Sequence, residues 1–380
     1  MEDKMEFQYY LPVHIVFGRK KVAEVGALTA PYGKKALIVT GTSSAKKSGL
    51  YKKVAQSLTE AKVSHCLFDK VTQNPLTTTA IEGATLAREQ QCEVVVAIGG
   101  GSIMDCAKAI AFLAVNNGDI NDYIYGRKTS EKALPIILIP TTCGTGSEGN
   151  GFAVLTNPQN KDKKSLRCNA VVAKVSLVDP ECMMTMPKKV LASVGFDALC
   201  HCMEAYTSKL AQPFSDALCL YAMELIASSL VKIYQGAQDI EAWEKLTLAS
   251  TIGGMAINIA GVTLSHGMEH PASGLKDIVH GYGLAALTPV VLEASIEGCP
   301  DKFARIAQIF GGSTAEELPG IIRKLLQSLD ISFSLSKLGF KEEDIPWMAE
   351  NCVKVSAASI ANNPVVFSQQ QIAEIYKKAM

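Results

Sequence analysis

The sequence predicts an α/β N-terminal domain with a largely parallel sheet, followed by an all-helical C-terminal domain. Three observations carry this expectation. A chain of 380 residues is longer than one hydrophobic core ordinarily serves, so two domains are the starting point. Residues 35–140 alternate short apolar runs with segments of helical spacing, as right-handed crossovers between parallel strands require. From Lys188 onward the periodicity is almost wholly helical. The boundary is drawn at Pro187, giving domains 1–187 and 188–380.

Taken in order, "KALIVT" (35–40) is an apolar strand running into Gly41 and a Thr/Ser turn, and "GLYKKVAQSLTEAKV" (49–63) is a helix. "SHCLFDKV" gives a second strand and "TTTAIEGATLAREQQ" (77–91) a second helix. "EVVVAIGG" (93–100) is a buried strand, "SIMDCAKAIAFLAV" (102–115) a helix, and "PIILIP" (135–140) one more strand. Beyond "SLVDPECMMTMP" (176–187), the segments 214–235 and 241–261 read as long helices apolar on more than one face. Such helices are buried among other helices. No solenoid-type repeat, low-complexity tract or Pro/Gly-rich linker separates the halves, so they are expected to pack closely around a cleft.

Lys plus Arg equals Asp plus Glu, at 37 each, which removes any electrostatic ground for nucleic acid or an anionic membrane as partner. No apolar run reads as long enough to span a bilayer, which takes about 18–20 residues. The start, "MEDKMEFQYY", is acidic and polar where a signal peptide is basic and then apolar. A cytoplasmic protein is expected. The eleven cysteines are scattered, without a CxxC pair or zinc-ribbon spacing, and read as free thiols in the core. "CHC" at 200–202 looks ligand-like, but on a helix its two sulfurs lie about 200° apart and cannot share a metal with His201.

Two glycine-rich turns could hold a cofactor. "VVVAIGGGSIMDCAK" (94–108) is a strand, a glycine turn and a helix start, lacking the third glycine of the full dinucleotide fingerprint because Met104 stands there. Its glycines would let the backbone approach a phosphate held by free N–H groups. The bland alternative makes Ser102 a helix cap with Asp105 as its capping-box partner. "PIILIPTTCGTGSE" (135–148) ends a second strand in a similar turn. Two such turns at the carboxyl ends of strands in one sheet favour a dinucleotide site.

Four of the six histidines fall in two stretches. In "SVGFDALCHCMEAY", Asp197 and His201 are four apart; in "SHGMEHPASGLKDIVHGYG", so are His266 and His270, and His280 follows a "PASG" segment expected to break the helix. Helical i,i+4 spacing puts each pair on one face. A carboxylate with two or three imidazoles suits Zn²⁺ or Fe²⁺. Spacing alone equally allows a helix salt bridge and hydrogen-bonded core histidines.

Together these stretches resemble the iron-containing (group III) alcohol dehydrogenase family, and the likeness covers nearly the whole chain. "GGGSIMDCAK" is similar to its cofactor loop, "PTTCGTGSE" to its second loop, and "LVDPECMMTMPKKVLASVGFDALCHCMEAY" and "AGVTLSHGMEHPASGLKDIVHGYGLA" to its metal segments. The resemblance implies that Asp197, His201, His266 and His280 coordinate one divalent metal, Fe²⁺ foremost with Zn²⁺ tolerated. It implies a diphosphate on Gly99, Gly100, Gly101 and Ser102, with Asp105 on the same loop, and further cofactor contacts at Asn74, Thr141, Thr142 and Lys163. It also implies a homodimer acting on a small alcohol or aldehyde. His270, one turn beyond a ligand, is the expected proton relay, with a pKa near neutrality. At Gly41 NAD-preferring relatives often carry an aspartate; here Thr42, Ser43, Ser44, Lys46 and Lys47 follow instead. Small hydroxyls and lysines suit a 2′-phosphate, so NADP(H) is favoured over NAD(H), as in the butanol dehydrogenase-like branch. Departures from the family pattern are "GNGFAVL" after the second loop, "SLRCNAVVAK", and Val279 where proline commonly precedes the last metal histidine.

The alternatives share the two-domain plan. A dehydroquinate synthase-like lyase would need several basic residues around the metal, where the second metal segment offers only Lys276. A glycerol dehydrogenase-like enzyme and a non-catalytic metal- or nucleotide-binding protein complete the set.

Overall fold

Six parallel strands form the central sheet of the computed structural model, which describes residues 6–380. They are β1 (His14–Phe17), β2 (Lys35–Gly41), β3 (Ser64–Val71), β4 (Val94–Gly99), β5 (Ile136–Pro140) and β8 (Val175–Val178). Between the last two, β6 (Phe152–Thr156) and β7 (Lys163–Arg167) make a separate antiparallel hairpin. The sheet order is β1-β8-β5-β4-β2-β3. Residues 1–5 of the signal-peptide reading lie outside the described residues.

The near-continuous apolar runs have a direct cause. Ile38, Val96, Ile98 and Ile139 enter the core on one face, and Leu37, Val39, Val95 and Leu138 enter the core on the other. Helices cover both faces, so neither side of the strand can be polar. The two expected turns follow β4 and β5, which are neighbours: Val95 pairs with Ile136 and Gly99 with Pro140. The chain steps outward from β2 to β3 and returns to β4 on the other side of β2. The order thus reverses between β2 and β4, where open α/β sheets bind their ligands.

β1 and β8 are only four residues each and were not foreseen. Neither was the β6–β7 hairpin, whose turn is built from Asn157 and Asn160, each side-chain oxygen accepting from the backbone N–H two residues on.

The first long helix of the second half spans Lys188–Thr207, and every residue from Gly195 to Thr207 is buried. It packs against helices Pro213–Tyr234 and Ile240–Ala260. Contrary to the sequence reading, Pro213–Tyr234 is long and apolar enough to cross a membrane by length and composition. Half of its apolar window is buried against its neighbours, as in a core helix. The helix Leu264–Lys276 also departs from expectation: it runs through Pro271 instead of breaking at "PASG". Proline removes a hydrogen bond to the carbonyl four residues back, and here the Gly267 carbonyl accepts instead from the Cys352 thiol at 3.2 Å. The helix ends at Asp277, in the left-handed region with φ 50°, and the next one starts at His280.

All eleven cysteines are free, seven of them buried. Cys200 points to the Thr288 hydroxyl at 3.5 Å rather than to the histidines.

Candidate active site

A cavity of about 1240 Å³ opens along the carboxyl ends of β2, β4 and β5 and reaches the helical half. This exceeds the ~300–1,000 Å³ of drug-sized ligand sites. Of the expected cofactor residues, Gly41, Asn74, Gly100, Gly101, Ser102, Thr141 and Thr142 line it. The helix after β4 starts at Gly101, with Gly100 as its cap and no side chain capping it, so its first N–H groups stay free for an anion. Ser102 therefore lies inside the helix and the capping-box alternative is not realised. The glycines also have a neighbour to accommodate. A Cβ at Gly101 would stand 2.3 Å from Thr145 Cγ2, and one at Gly100 2.9 Å from Thr142 Oγ1. The loops close on each other as well as on the cavity.

Three expected cofactor residues sit elsewhere. Gly99 is pressed against Ile103. Asp105 is turned away from the cavity, its oxygens accepting from Ser147 Oγ at 2.6 Å and the Val154 amide at 3.0 Å. Lys163 is buried behind Asn74, donating to Asn74 Oδ1 at 3.0 Å. Near Gly41, Thr42, Ser43 and Ser44 line the cavity, but Lys46 and Lys47 do not; Lys20 and Lys53 do. Lys46 is committed to Asp69.

Sequence reading missed Lys108, one turn beyond Asp105. Its Nζ lies 2.6–3.0 Å from five oxygens of Ser147, Asn150 and Phe152. Burial pushes this lysine down to about 8. Five acceptors, three of them backbone carbonyls, nevertheless favour the ammonium at neutral pH. Asp105 and Lys108 together tie the cofactor-loop helix to the second loop.

At the inner end of the cavity, Asp197, His201 and His266 offer one donor atom each within 4.8 Å of one another. All three are buried. His280 stands slightly apart from that tight set, yet its Nε2 is 3.6 Å from Asp197 Oδ1. The His201 and His266 Nε2 atoms are 3.6 and 3.3 Å from the same oxygen. Three imidazoles from three helices thus aim one nitrogen each at one carboxylate. The other ring nitrogens have partners too: His201 Nδ1 faces the Gly144 carbonyl at 3.3 Å, His266 Nδ1 faces Glu204 at 2.6 Å, and His280 Nδ1 pairs with Glu269. An N–H given to a buried acceptor leaves Nε2 as a lone pair, the arrangement of metal-ligating histidines.

The charges agree. Burial alone would raise Asp197, but His201, His266 and His280 outweigh it and hold the carboxyl below its ordinary value. Burial lowers His201 to about 4. Burial also opposes protonation of His266, but Glu204 and Asp197 overcome it and push this imidazole up to about 10. The cluster attracts a cation, and the donor set fits one divalent ion. His270 lies outside, its ring centroid 6.2 Å from His266 and 6.0 Å from His280. Burial, then the Lys163 charge, hold it well below its ordinary value, so the expectation of a near-neutral pKa does not hold.

Glu204 and Glu269 were also missed. A usable signal existed: each follows a cluster histidine by three residues, which puts it on the same side of the helix.

A parallel-sheet domain, a helical domain and a cleft ending in a buried carboxylate–imidazole cluster define a two-domain enzyme equipped for a nucleotide and a metal. Comparison with known proteins makes this specific. The iron-containing alcohol dehydrogenase family matches residues 12–180, and the C-terminal domain of the Fe-containing alcohol dehydrogenase family matches residues 191–380. The chain is 34% identical over 381 residues to an NAD-dependent methanol dehydrogenase of Bacillus methanolicus, covering 98% of this chain and 99% of that one. It is 30% identical to an NADPH-dependent butanol dehydrogenase of Clostridium saccharobutylicum, covering 97% of each. An archaeal halo-thermophilic alcohol dehydrogenase from a Red Sea brine pool superposes with a TM-score of 0.95 at 35% identity, covering 99% of this chain and 100% of that one. The chain belongs to the iron-containing alcohol dehydrogenase family. It is a metal-dependent oxidoreductase that moves a hydride between an alcohol or aldehyde and a nicotinamide cofactor. This reading fits better than the lyase or a non-catalytic binder, and Lys276, the one basic residue of the second metal segment, is turned to Asp344.

Proposed function

We propose that the chain reduces small aldehydes or oxidises the matching alcohols with NADP(H), at a metal held by Asp197, His201, His266 and His280. The observation that carries this is the convergence of three Nε2 atoms within 3.6 Å of Asp197 Oδ1, each ring anchored through Nδ1. Fe²⁺ is the first candidate and Zn²⁺ the second, since both accept this donor set. When bound, the metal supplies Lewis-acid polarisation of the substrate oxygen and the nicotinamide supplies or accepts the hydride.

The chain's own residues do the rest. Gly100, Gly101 and Ser102 present uncapped N–H groups to a diphosphate, and Thr141 and Thr142 flank it from the second loop. Val190, Val194 and Val279 give the cavity wall apolar surface beside Asp197 and His280. His270, held neutral, accepts the alcohol proton and returns it in the reverse direction. The NADP(H) preference is supported by the absence of a carboxylate at Gly41 and by Thr42, Ser43 and Ser44 in the wall. Lys20, Lys53 and Lys189 face the cavity, where Lys46 and Lys47 do not.

The division at Pro187, a homodimer and a cytoplasmic location complete the proposal, the last supported by eleven unpaired thiols. The test is anaerobic reduction of butanal and a panel of short aldehydes with NADPH and NADH, after loading with Fe²⁺ or Zn²⁺. Metal-dependent turnover with a higher kcat/KM for NADPH is expected. A preference for NADH would overturn the cofactor assignment alone. No turnover across the panel would overturn the substrate class.

A further inference from the structure

The Glu269–Lys163 pair is not needed to form the metal cluster, yet both side chains are buried beside it. Glu269 sits on the helix Leu264–Lys276, three residues after His266, and is 0% exposed. Oε1 accepts from the Ser273 hydroxyl and Oε2 from His280 Nδ1. Lys163 Nζ, on β7, lies 3.4 Å from Glu269 Oε2 and donates to Asn74 Oδ1 at 3.0 Å. Asn74 in turn donates across the cleft to Asp277 Oδ1 at 2.7 Å and the Ile278 carbonyl at 3.1 Å. An unbroken polar chain runs from Asn74 in the cavity wall, through Lys163 and Glu269, to His280.

His280 is the donor most in need of such support. His201 and His266 lie within buried helical turns, with side chains 6% and 4% exposed. His280 is the first residue of its helix, follows the left-handed Asp277 by three residues, and has a side chain 24% exposed. Its ring is the least enclosed of the three. We infer that Glu269 is a positioning residue for His280, and that Lys163 balances the charge of this carboxylate. The carboxylate fixes the tautomer that turns Nε2 inward. The ammonium keeps a fully buried carboxylate from standing uncompensated. This inference rests on reading the cluster as a metal site.

The test measures equilibrium metal affinity directly, by anaerobic competition between the protein and a chromophoric chelator for Fe²⁺ and for Zn²⁺. Wild type, His266→Ala, Glu269→Ala and Glu269→Gln are compared, with unfolding midpoints recorded for each. Glu269→Ala is expected to bind metal about 10–100-fold more weakly, with Glu269→Gln between it and wild type. Excess metal should restore most of the turnover, because the residue acts through occupancy of His280. If Glu269→Ala does not fold, Glu269→Gln, of nearly the same volume, carries the test. A variant with a lowered unfolding midpoint but wild-type metal affinity would overturn the positioning role while leaving the metal site standing. Wild type that binds no better than His266→Ala would overturn the metal site itself, and this inference with it.

Discussion

At the scale of single residues, each cluster histidine has two jobs for its two nitrogens, and the structure gives each nitrogen a different neighbour. Nδ1 of His201, His266 and His280 is spent on Gly144, Glu204 and Glu269; Nε2 faces Asp197. His270 has no such anchor among the described hydrogen bonds and stands 6 Å or more from its neighbours' rings. The two kinds of histidine should separate by experiment. His270→Ala should keep its metal and lose turnover by about 10²–10⁴-fold, the usual worth of a general acid–base group. Metal analysis and single-turnover rates on the same sample check this; loss of metal would make His270 a ligand.

Sequence revealed the residues whose type is rare and missed those whose type is common. Histidines at spacing four stand out in a chain with six. Glu204, Glu269 and Lys108 do not, because charged residues on helices normally mark the solvent face. Only the apolar character of their surroundings betrays that these three are buried. Asp105 shows the reverse error. Its place in the cofactor motif suggested a ligand contact, whereas its carboxylate holds Ser147 and Val154.

At the scale of elements, the strands bounded by glycine and threonine turns were legible almost to the residue. "KALIVT" corresponds to Lys35–Gly41 and "PIILIP" to Ile136–Pro140. Both are buried on two faces, so their apolar runs are uninterrupted. The hairpin was not legible, because β7 reads "KKSLR" and takes its burial from distant helices. The helix through Pro271 was misread for a similar reason: its lost hydrogen bond is replaced by Cys352, a residue 85 positions away from Gly267.

One element-scale contact reverses an ordinary rule. Gly254 lies inside the helix Ile240–Ala260, where alanine is normally favoured over glycine by about 1 kcal/mol. A Cβ there would stand 1.9 Å from the Gly146 carbonyl oxygen. That atom is backbone and cannot swing aside. Gly254→Ala should therefore lose about 2 kcal/mol net, as overpacked cores do. Urea unfolding checks this, and a stabilised variant would show that the second loop is free to move off the helix.

At the scale of the whole molecule, the β6–β7 hairpin links the two halves. Asp162, 2% exposed, accepts from Tyr125, from Asn351 at 2.7 Å and from Lys354 at 2.8 Å. Tyr125 belongs to the first half and the other two to the helix Ile345–Val355. Burial would raise this carboxyl, but Lys354, Tyr125 and Asn351 outweigh it and hold it below its ordinary value. The folded state therefore binds this proton less readily than the unfolded chain. The stability it contributes is complete above pH ~4 and is lost as the pH falls through the lowered folded value. Asp162→Asn should cost about 1.5–3 kcal/mol at neutral pH, the range for hydrogen bonds to a charged group. The gap to wild type should close as the pH falls below ~4. Denaturant melts at several pH values check this; a gap independent of pH would mean that the carboxylate charge contributes nothing.

On the proposed function, three imidazoles and Asp197 hold one divalent metal where the two halves meet. Anaerobic equilibrium dialysis against Fe²⁺, with bound iron counted per chain, tests it most directly. One equivalent in wild type, none in Asp197→Ala and one in His270→Ala is the predicted result. An Asp197→Ala variant that folds and still binds a full equivalent would contradict it.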